Sequence, residues 1–216
     1  MYSLLVGNLN YSSWSVRPWL AMKAAGIAFE DKVIPLYEPG SKDEILSHSP
    51  AGKVPILTDG AVTVWDSLAI IEYLAEKEPE VGLWPSAPAR RARARSVCAE
   101  MHSGFLALRR EMPMNLRRRP KAIDLSDEAR ADIARIDAIW NGCREQAGAD
   151  GPFLFGAFCA ADAMFAPVVG RFHIYDIAVS PGARAYMDAV MAHPAWRELM
   201  ARAREESWTV ERFEIA

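Results

Sequence analysis

Hydrophobic and polar positions change their spacing several times within residues 1–80. The apolar run from Ser3 to Val6 predicts a strand. The segment from Ser15 to Ala25 has the apolar spacing of a helix, and Gly26 follows it as a suitable stop. Because proline is tolerated in the first turn of a helix, Pro18 favours a helix start near Ser13 to Ser15.

The following segments predict the rest of a small sheet. Asp31 to Leu36 has the composition of a second strand, and a short polar helix is expected from Lys42 to Ser47. Val54 to Trp65 is interrupted by Asp59-Gly60, a dipeptide typical of hairpin turns, so it predicts two short strands. A helix is expected from Ser67. The order strand, helix, strand, helix, strand, strand, helix indicates a mixed sheet with helices packed on it.

Beyond residue 80 the periodicity is helical throughout. Turn-forming residues from Trp84 to Pro88 predict a linker. Helical patterns follow at residues 89–110, 128–147, 162–177 and 184–204. The charge balance also changes at the linker, from acidic before it to nearly even after it. We therefore expect an α/β domain at 1–80, a linker at 81–88 and an all-α domain at 89–216.

The composition of the chain indicates which binding partners and which cellular compartment to expect. The chain has 216 residues and a formal net charge of −3, so bulk charge gives no attraction to nucleic acid. No apolar run approaches the roughly 20 residues that span a bilayer, so no membrane partner is expected. The three cysteines and four histidines are scattered, which indicates free thiols and no metal site. With an N-terminus too short and uncharged for a signal peptide, we expect a cytoplasmic protein.

The serine-rich turn Ser12-Ser13-Trp14-Ser15 lies between the first strand and the first helix. A hydroxyl there, beside the unpaired N–H groups of a helix start, can donate to an anion in a positive partial field. The alternative is a plain N-cap.

Two other features of the first 80 residues suit a peptide ligand. If the Val54–Pro55 bond were cis, the Val54 N–H and C=O could pair with an extended peptide; the alternative is a simple strand-start proline. Before the next helix, Ser67 as N-cap would form a carboxylate site and Asp66 could hold an ammonium group. The alternative is an ordinary helix cap.

In this order and spacing, these features resemble the cytosolic glutathione transferase superfamily. The resemblance is carried by Val54-Pro55-Ile56-Leu57, by Asp66 to Leu74, by Trp84-Pro85 with its Arg-rich helix, and by Gly156 to Asp162, which resembles a capping motif of the helical domain. The bacterial, serine-type and zeta-like classes look nearest. The resemblance implies a two-domain protein, a thioredoxin-like α/β domain followed by an all-α helical domain, with glutathione as co-substrate.

The resemblance also implies roles for single residues. Val54 would pair its backbone with the cysteinyl part of glutathione, with Pro55 cis. Asp66 and Ser67 would hold the γ-glutamyl end, and Lys53 would reach the glycyl carboxylate or nearby backbone. The Cys159–Asp162 capping box is expected to be less well satisfied than usual, because a thiol is a weak hydrogen-bonding group.

Several groups in the turn could contact the glutathione sulfur. Ser12 lies five residues before Arg17, a spacing like that of the zeta-type serine, and is the first choice; Ser13 is the second. An ungapped alignment from Val16-Arg17 places Asn10 at the serine position instead. Tyr11 is a further alternative, in the manner of tyrosine-type enzymes.

The pocket for a second substrate should draw on the helix that begins at Ala89. The helical spacing places several of three residues, His102, Phe105 and Arg109, on one face of this helix. That face could form a pocket that binds an anionic group, or it could belong to the packed core. The expected function is conjugation of glutathione to a small electrophile. The alternatives are a glutathione-dependent isomerase or dehalogenase of zeta type, and a catalytically silent binding protein. By family likeness, a homodimer is expected.

Overall fold

The computed structural model describes residues 1–148 and 150–215, so residues 149 and 216 of the predicted helical domain lie outside the described part. Its four strands are β1 (Tyr2–Gly7), β2 (Phe29–Ile34), β3 (Ile56–Asp59) and β4 (Val62–Trp65). They form one sheet in the order β2-β1-β3-β4. β1 and β2 are parallel, whereas the β1–β3 and β3–β4 pairs are antiparallel.

Three helices belong to the same part of the chain as the sheet: α1 (Ser13–Ala25), α2 (Ser41–His48) and α3 (Ser67–Lys77). The remaining helices are α4 (Pro88–Ser103), α5 (Leu106–Glu111), α6 (Asp127–Ala147), α7 (Ala160–Ile174), α8 (Pro181–Ala192) and α9 (Pro194–Glu205). Short 3-10 turns lie at Pro79–Val81 and Glu211–Phe213.

Alternation along β1 assigns its side chains to the two faces of the sheet. Leu4 and Val6 join the main core, which contains apolar side chains of α1 and α3. Leu5 points the other way and packs with Ile34, Ile45 and Ile56, so α2 covers that face. This is the predicted thioredoxin-like α/β domain.

Helix α7 is the centre of the helical part. Almost all of it is buried, and it packs against α1, α4 and α8. The buried side chains of the sheet, α1, α3 and the later helices form one continuous cluster. Within the described residues, no helix combines the length and apolar character needed to cross a membrane. The predicted all-helical second part is confirmed, apart from two isolated bridges near Phe153–Ala157.

The structure corrects three predicted boundaries. β2 begins at Phe29 and ends at Ile34, about two residues before the prediction. The predicted helix at 89–110 is two helices, because Gly104 is extended and Phe105 has a left-handed backbone with φ of 61°. The predicted helix at 184–204 also breaks, because Pro194 lacks an N–H and disfavours helical backbone at the residue before it.

The capping box at the start of α7 is better formed than the sequence suggested. The buried Asp162 carboxylate accepts the N–H of Cys159 at 2.8 Å and that of Leu154 at 3.0 Å. The carboxylate therefore organises this turn, and the weak thiol has little to supply. Burial raises the pKa of Asp162 from 3.8 to about 6, although the two N–H groups oppose the shift.

Asp162→Asn tests this raised pKa. An aspartate whose pKa is higher in the folded than in the unfolded state binds its proton more tightly when folded, so its relative stabilisation is lost as pH rises through the folded value. Between about pH 7 and pH 4.5, the wild type should gain stability relative to Asp162→Asn, on the order of 2 kcal/mol. Urea unfolding of both proteins across this range measures the difference; parallel pH profiles would contradict the expectation.

The C-terminal tail, residues 206–215, folds back onto residues 9–11, directly before the serine turn. The Glu206 carboxylate accepts the N–H of Leu9 at 2.6 Å and that of Asn10 at 3.2 Å. Arg117 of the helical part also binds the tail. Its guanidinium donates to the carbonyls of Glu206 and Trp208, the latter at 2.9 Å. The tail is therefore fixed to both parts of the chain.

Arg117→Leu should release this tail. The variant loses charge-assisted bonds to two tail carbonyls, so amides after residue 206 should exchange faster with solvent. Hydrogen exchange followed by mass spectrometry measures the effect, with Arg119→Leu, an exposed arginine two residues away, as the matched control. Equal tail protection in both variants would show that Arg117 does not hold the tail.

Candidate functional site

Two adjoining cavities lie along the serine turn and the segment before β3. We call the first the serine cavity; its volume is about 590 Å³. The second, the aspartate cavity, has about 580 Å³. Trp14, Lys53 and Val54 line both, so one extended ligand can contact the two spaces at once. The serine cavity is also lined by Ser12, Ser13, Arg109, Arg171 and Phe213, and the aspartate cavity by Pro55, Asp66, Ser67 and His102.

Ser12 and Ser13 both line the serine cavity, but their hydroxyls have different partners. Ser12 is the N-cap of α1: its Oγ accepts the N–H of Ser15 at 3.3 Å. Its hydroxyl also donates to Ser15 Oγ at 2.9 Å, which uses its hydrogen within the turn. Ser13 Oγ accepts from Arg171 at 3.4 Å, and its own hydrogen has no acceptor among the described residues. Ser13 is thus the serine with a hydrogen to donate into the cavity.

Three arginines surround this turn; we call Arg17, Arg109 and Arg171 the arginine cluster. Arg17 and Arg109 both lie over the Trp14 ring, at 4.5 and 5.0 Å from its centroid. Burial lowers the pKa of Arg171 to about 9, and the charge of Arg109 adds to the shift. Burial, followed by Arg109 and Arg171, also lowers the pKa of Arg17. Arginine guanidinium groups keep their proton in proteins near neutral pH, so the turn lies in a positive field.

The Val54–Pro55 peptide bond is cis. Val54 precedes β3, and its N–H and C=O make no backbone hydrogen bond with a described residue. Because Val54 lines both cavities, these two groups are available to an extended ligand, as the resemblance implies.

Asp66, rather than Ser67, is the N-cap of α3. Asp66 Oδ1 accepts the N–H of Leu68 at 2.9 Å and that of Ala69 at 3.3 Å. The cap holds Asp66 at φ 78°, a left-handed conformation that is rare outside glycine and is often kept at functional sites. Ser67 therefore becomes the first helical residue. Its hydroxyl oxygen is buried and has no hydrogen-bond partner among the described residues.

His102 lies in the aspartate cavity, whereas the sequence placed it in the pocket for a second substrate. Its Nε2 is 3.2 Å from Asp66 Oδ2, and its ring meets the edge of Trp14 at 5.1 Å between centroids. Both partners remain partly open, with 28% of the His102 side chain and 40% of the Asp66 side chain exposed. The second Asp66 oxygen can therefore be reached by a cationic group of a ligand.

The other two residues predicted for the second substrate separate from each other. Phe105 is buried in the core and lines neither cavity. Arg109 lines the serine cavity, held by its Nε bond to the Gly104 carbonyl at 3.0 Å and by a bond to the Met101 carbonyl. The break between α4 and α5 explains the difference, because it removes the common helix face that the spacing assumed.

The polar groups of the Asn10 and Tyr11 side chains already have hydrogen-bond partners within the protein. Asn10 is fully buried, donates to Asn115 Oδ1 at 3.0 Å and accepts the N–H of Arg117 at 3.0 Å, and it lines neither cavity. Its position gives no support to the predicted contact with glutathione. The Tyr11 hydroxyl accepts from Arg117 at 2.8 Å and donates to Glu214. Burial first, and then Glu214, raise the pKa of Tyr11, so its hydrogen is committed to the tail.

Sequence reasoning missed Arg171, Trp14 and Phe213 as parts of the site. Arg171 carried a usable signal, because it is a charged residue in the otherwise apolar run of α7, where an arginine is rarely buried without a reason. Phe213 lines the serine cavity from the tail, a placement that the sequence could not show. Trp14 was noted only as a member of the turn, although it lines both cavities.

Comparison with known proteins matches both parts of the chain to known domains. Residues 11–77 match the family model for the N-terminal domain of glutathione S-transferase, and residues 120–202 match the model for its C-terminal domain. A Pseudomonas aeruginosa protein named maleylacetoacetate isomerase is 30% identical over 87% of this chain and 90% of its own length. A Caenorhabditis elegans protein named probable maleylacetoacetate isomerase is 38% identical, but the match covers only 44% of each chain.

The fold has a counterpart among solved structures. A glutathione transferase homolog from Burkholderia gl BGR1, solved with bound glutathione, superposes with a TM-score of 0.72. The superposition covers 95% of this chain and 99% of the other, at 22% identity, and so supports the fold alone. Because the two family models together match more than half of its residues, the chain belongs to the glutathione S-transferase family.

Proposed function

We propose that this protein is an enzyme that binds glutathione across the two cavities and activates its thiol to attack a small electrophile. The observation that carries the proposal is the division of chemistry between the cavities. The aspartate cavity has a reachable carboxylate and an unpartnered buried hydroxyl, whereas the serine cavity has a free serine hydrogen in a positive field. Glutathione has an amino acid end for the first and a thiol for the second.

The aspartate cavity suits the γ-glutamyl end. Asp66 Oδ2 would hold the α-ammonium group, and the orphaned Ser67 hydroxyl with the first N–H groups of α3 would hold the α-carboxylate. Val54 would pair with the cysteinyl backbone. Lys53, which lines both cavities, would reach the glycyl carboxylate. A buried hydroxyl normally has a hydrogen-bond partner, and the helix cap at Asp66 does not provide one for Ser67.

Ser13 is the residue we assign to the sulfur, in place of the first choice Ser12. A free cysteine thiol has a pKa of about 8.5, and the thiolate is its nucleophilic form. Lowering that pKa by about 2 units requires roughly 2.7 kcal/mol of preferential stabilisation of the anion. A hydroxyl donor at the start of α1 and the charges of the arginine cluster both act in this direction.

The electrophile would enter the serine cavity, between Arg109 and Phe213. The second candidate function, isomerisation or dehalogenation of a small organic acid, is favoured by Arg109, whose guanidinium could hold a carboxylate. The names of the isomerase relatives point in the same direction. A catalytically silent binding protein remains the third reading, and turnover separates it from the other two.

The proposal also covers the roles of the two domains. We assign glutathione binding to the domain at residues 1–80 and the pocket for the electrophile to the domain at residues 89–216, with residues 81–88 as the linker between them. Three buried free cysteines suit the reducing cytoplasm. By likeness to the family we also propose a homodimer, and conjugation of small electrophiles would serve detoxification.

Turnover of glutathione by the pure protein tests the function. With chloro-nitro aromatics and maleyl-type acids as second substrates, Ser13→Ala should lower kcat/KM by roughly a hundredfold, as loss of an anion-stabilising donor does. Ser12→Ala is the matched control. It removes the N-cap of α1 and should lower the stability by about 1 kcal/mol. Its kcat/KM should fall much less than that of Ser13→Ala. A wild type with neither glutathione affinity nor turnover would overturn the proposal, and a larger loss in Ser12→Ala would reverse the assignment.

Asp66→Asn tests the γ-glutamyl site. Asparagine keeps the N-cap of α3 but loses the negative charge for the α-ammonium group, so glutathione affinity should fall about ten- to a hundredfold. Isothermal titration calorimetry measures the affinity, and Asp43→Asn, at an exposed position in the first turn of α2, controls for the loss of one charge. Unchanged affinity in Asp66→Asn would contradict the assignment.

A further inference from the structure

Arg171 is the buried charge that reaches the serine turn from the helical part. It is 5% exposed and lines the serine cavity from α7. Its Nε donates to the Met112 carbonyl at 2.7 Å, and its Nη2 donates to Ser13 Oγ at 3.4 Å. Its Nη1 is buried and has no partner among the described residues. A purely structural arginine would be expected to use this third position as well.

The bond to Ser13 decides where the serine hydrogen points. Because Ser13 Oγ accepts from a guanidinium, its own O–H must point away from Arg171, and Ser13 lines the serine cavity. At 3.4 Å this bond is long, so the charge of Arg171 acts on the turn mainly through space. Arg171 therefore directs the hydrogen of Ser13 away from itself and adds a positive charge beside it.

The charges that face Arg171 are mostly positive. Arg17 of α1 and Arg109 of α5 are the other members of the arginine cluster. The charge of Arg109 lowers the pKa of both Arg171 and Arg17. Tyr175, one turn further along the chain, favours the charged form of Arg171. The remaining charged residues of the cavity lining are Lys42, Lys53 and Glu38. Glu38, the one carboxylate in that described lining, is exposed. The floor of the cavity is therefore short of negative charge.

We propose that Arg171 is a positioning residue for thiol activation, which orients Ser13 and supplies a fixed positive charge that holds the sulfur of glutathione as its thiolate. In this step the S–H bond breaks, the electron pair stays on sulfur and the proton leaves to solvent water, with no change of oxidation state. The inference rests on the proposed function, because the anion is the thiolate of bound glutathione.

The pKa of the bound thiol is the measurement that isolates this role. The ultraviolet absorbance of the thiolate, followed against pH with saturating glutathione, gives that pKa for each variant. Arg171→Gln should raise it by about one unit or more, so that about tenfold less thiolate forms below neutral pH. Arg171→Lys keeps the charge and should restore part of the shift, and Ser13→Ala should raise the pKa on its own. Arg130→Gln, exposed on α6, is the control for one lost positive charge.

Binding of S-methylglutathione, which has no thiol to ionise, reports separately whether the site is intact. An unchanged affinity with a raised thiol pKa in Arg171→Gln supports the proposal. A thiol pKa equal to that of Arg130→Gln, with S-methylglutathione still bound, overturns it; a raised KM for a carboxylate-bearing electrophile would then place Arg171 with the second substrate.

If Arg171→Gln does not fold, the test uses Arg171→Lys and Ser13→Ala instead. A bound thiol whose pKa equals the wild-type value in both variants would overturn the proposal. A wild type that binds no glutathione is a different result, since it removes the proposed function before any variant is made.

Discussion

The contact between α1 and α7 buries two guanidinium groups, and neither forms an ion pair with a carboxylate of the described residues. Arg17 donates to the Met164 carbonyl at 3.1 Å, and Arg171 donates to the Met112 carbonyl at 2.7 Å. Removing a charge from water costs several kcal/mol, and backbone carbonyls return only part of that cost. The surrounding core must hold both groups in place, and the serine turn acquires its positive field as a result. The helical part therefore contributes charge to the proposed thiol site as well as covering it.

Trp14 shows how one side chain can organise this arrangement. It lines both cavities, and its ring contacts two arginines and lies nearly perpendicular to the His102 ring. The ring separates a region that suits a zwitterionic amino acid group from a region that suits a thiolate. The two halves of a tripeptide bound as proposed would thus meet different electrostatic surroundings within a short distance.

Local patterns in the sequence predicted most of the elements, because helix and strand spacing depends on neighbouring residues. The prediction failed where a single residue overrides the spacing, as Phe105 and Pro194 do. The three ligand-facing segments were also recognisable from their order. Contacts between distant residues were not: Ser13 and Arg171 are 158 positions apart, and α7 alone gives no direction for its arginine. The alignment also could not show that Asn10 is buried and lines neither cavity, because an aligned position does not fix which way the side chain points.

The tail that folds back beside the serine turn has a practical consequence for how the protein is prepared. Phe213 lines the cavity from this tail, so a purification tag fused after the tail would be joined to the segment that forms the proposed entrance for the second substrate. Met1, by contrast, is 92% exposed and lies at the end of β1 opposite the serine turn. Kinetic constants from C-terminally tagged samples would include the behaviour of the tag, whereas an N-terminal tag leaves the cavity as the native chain shapes it.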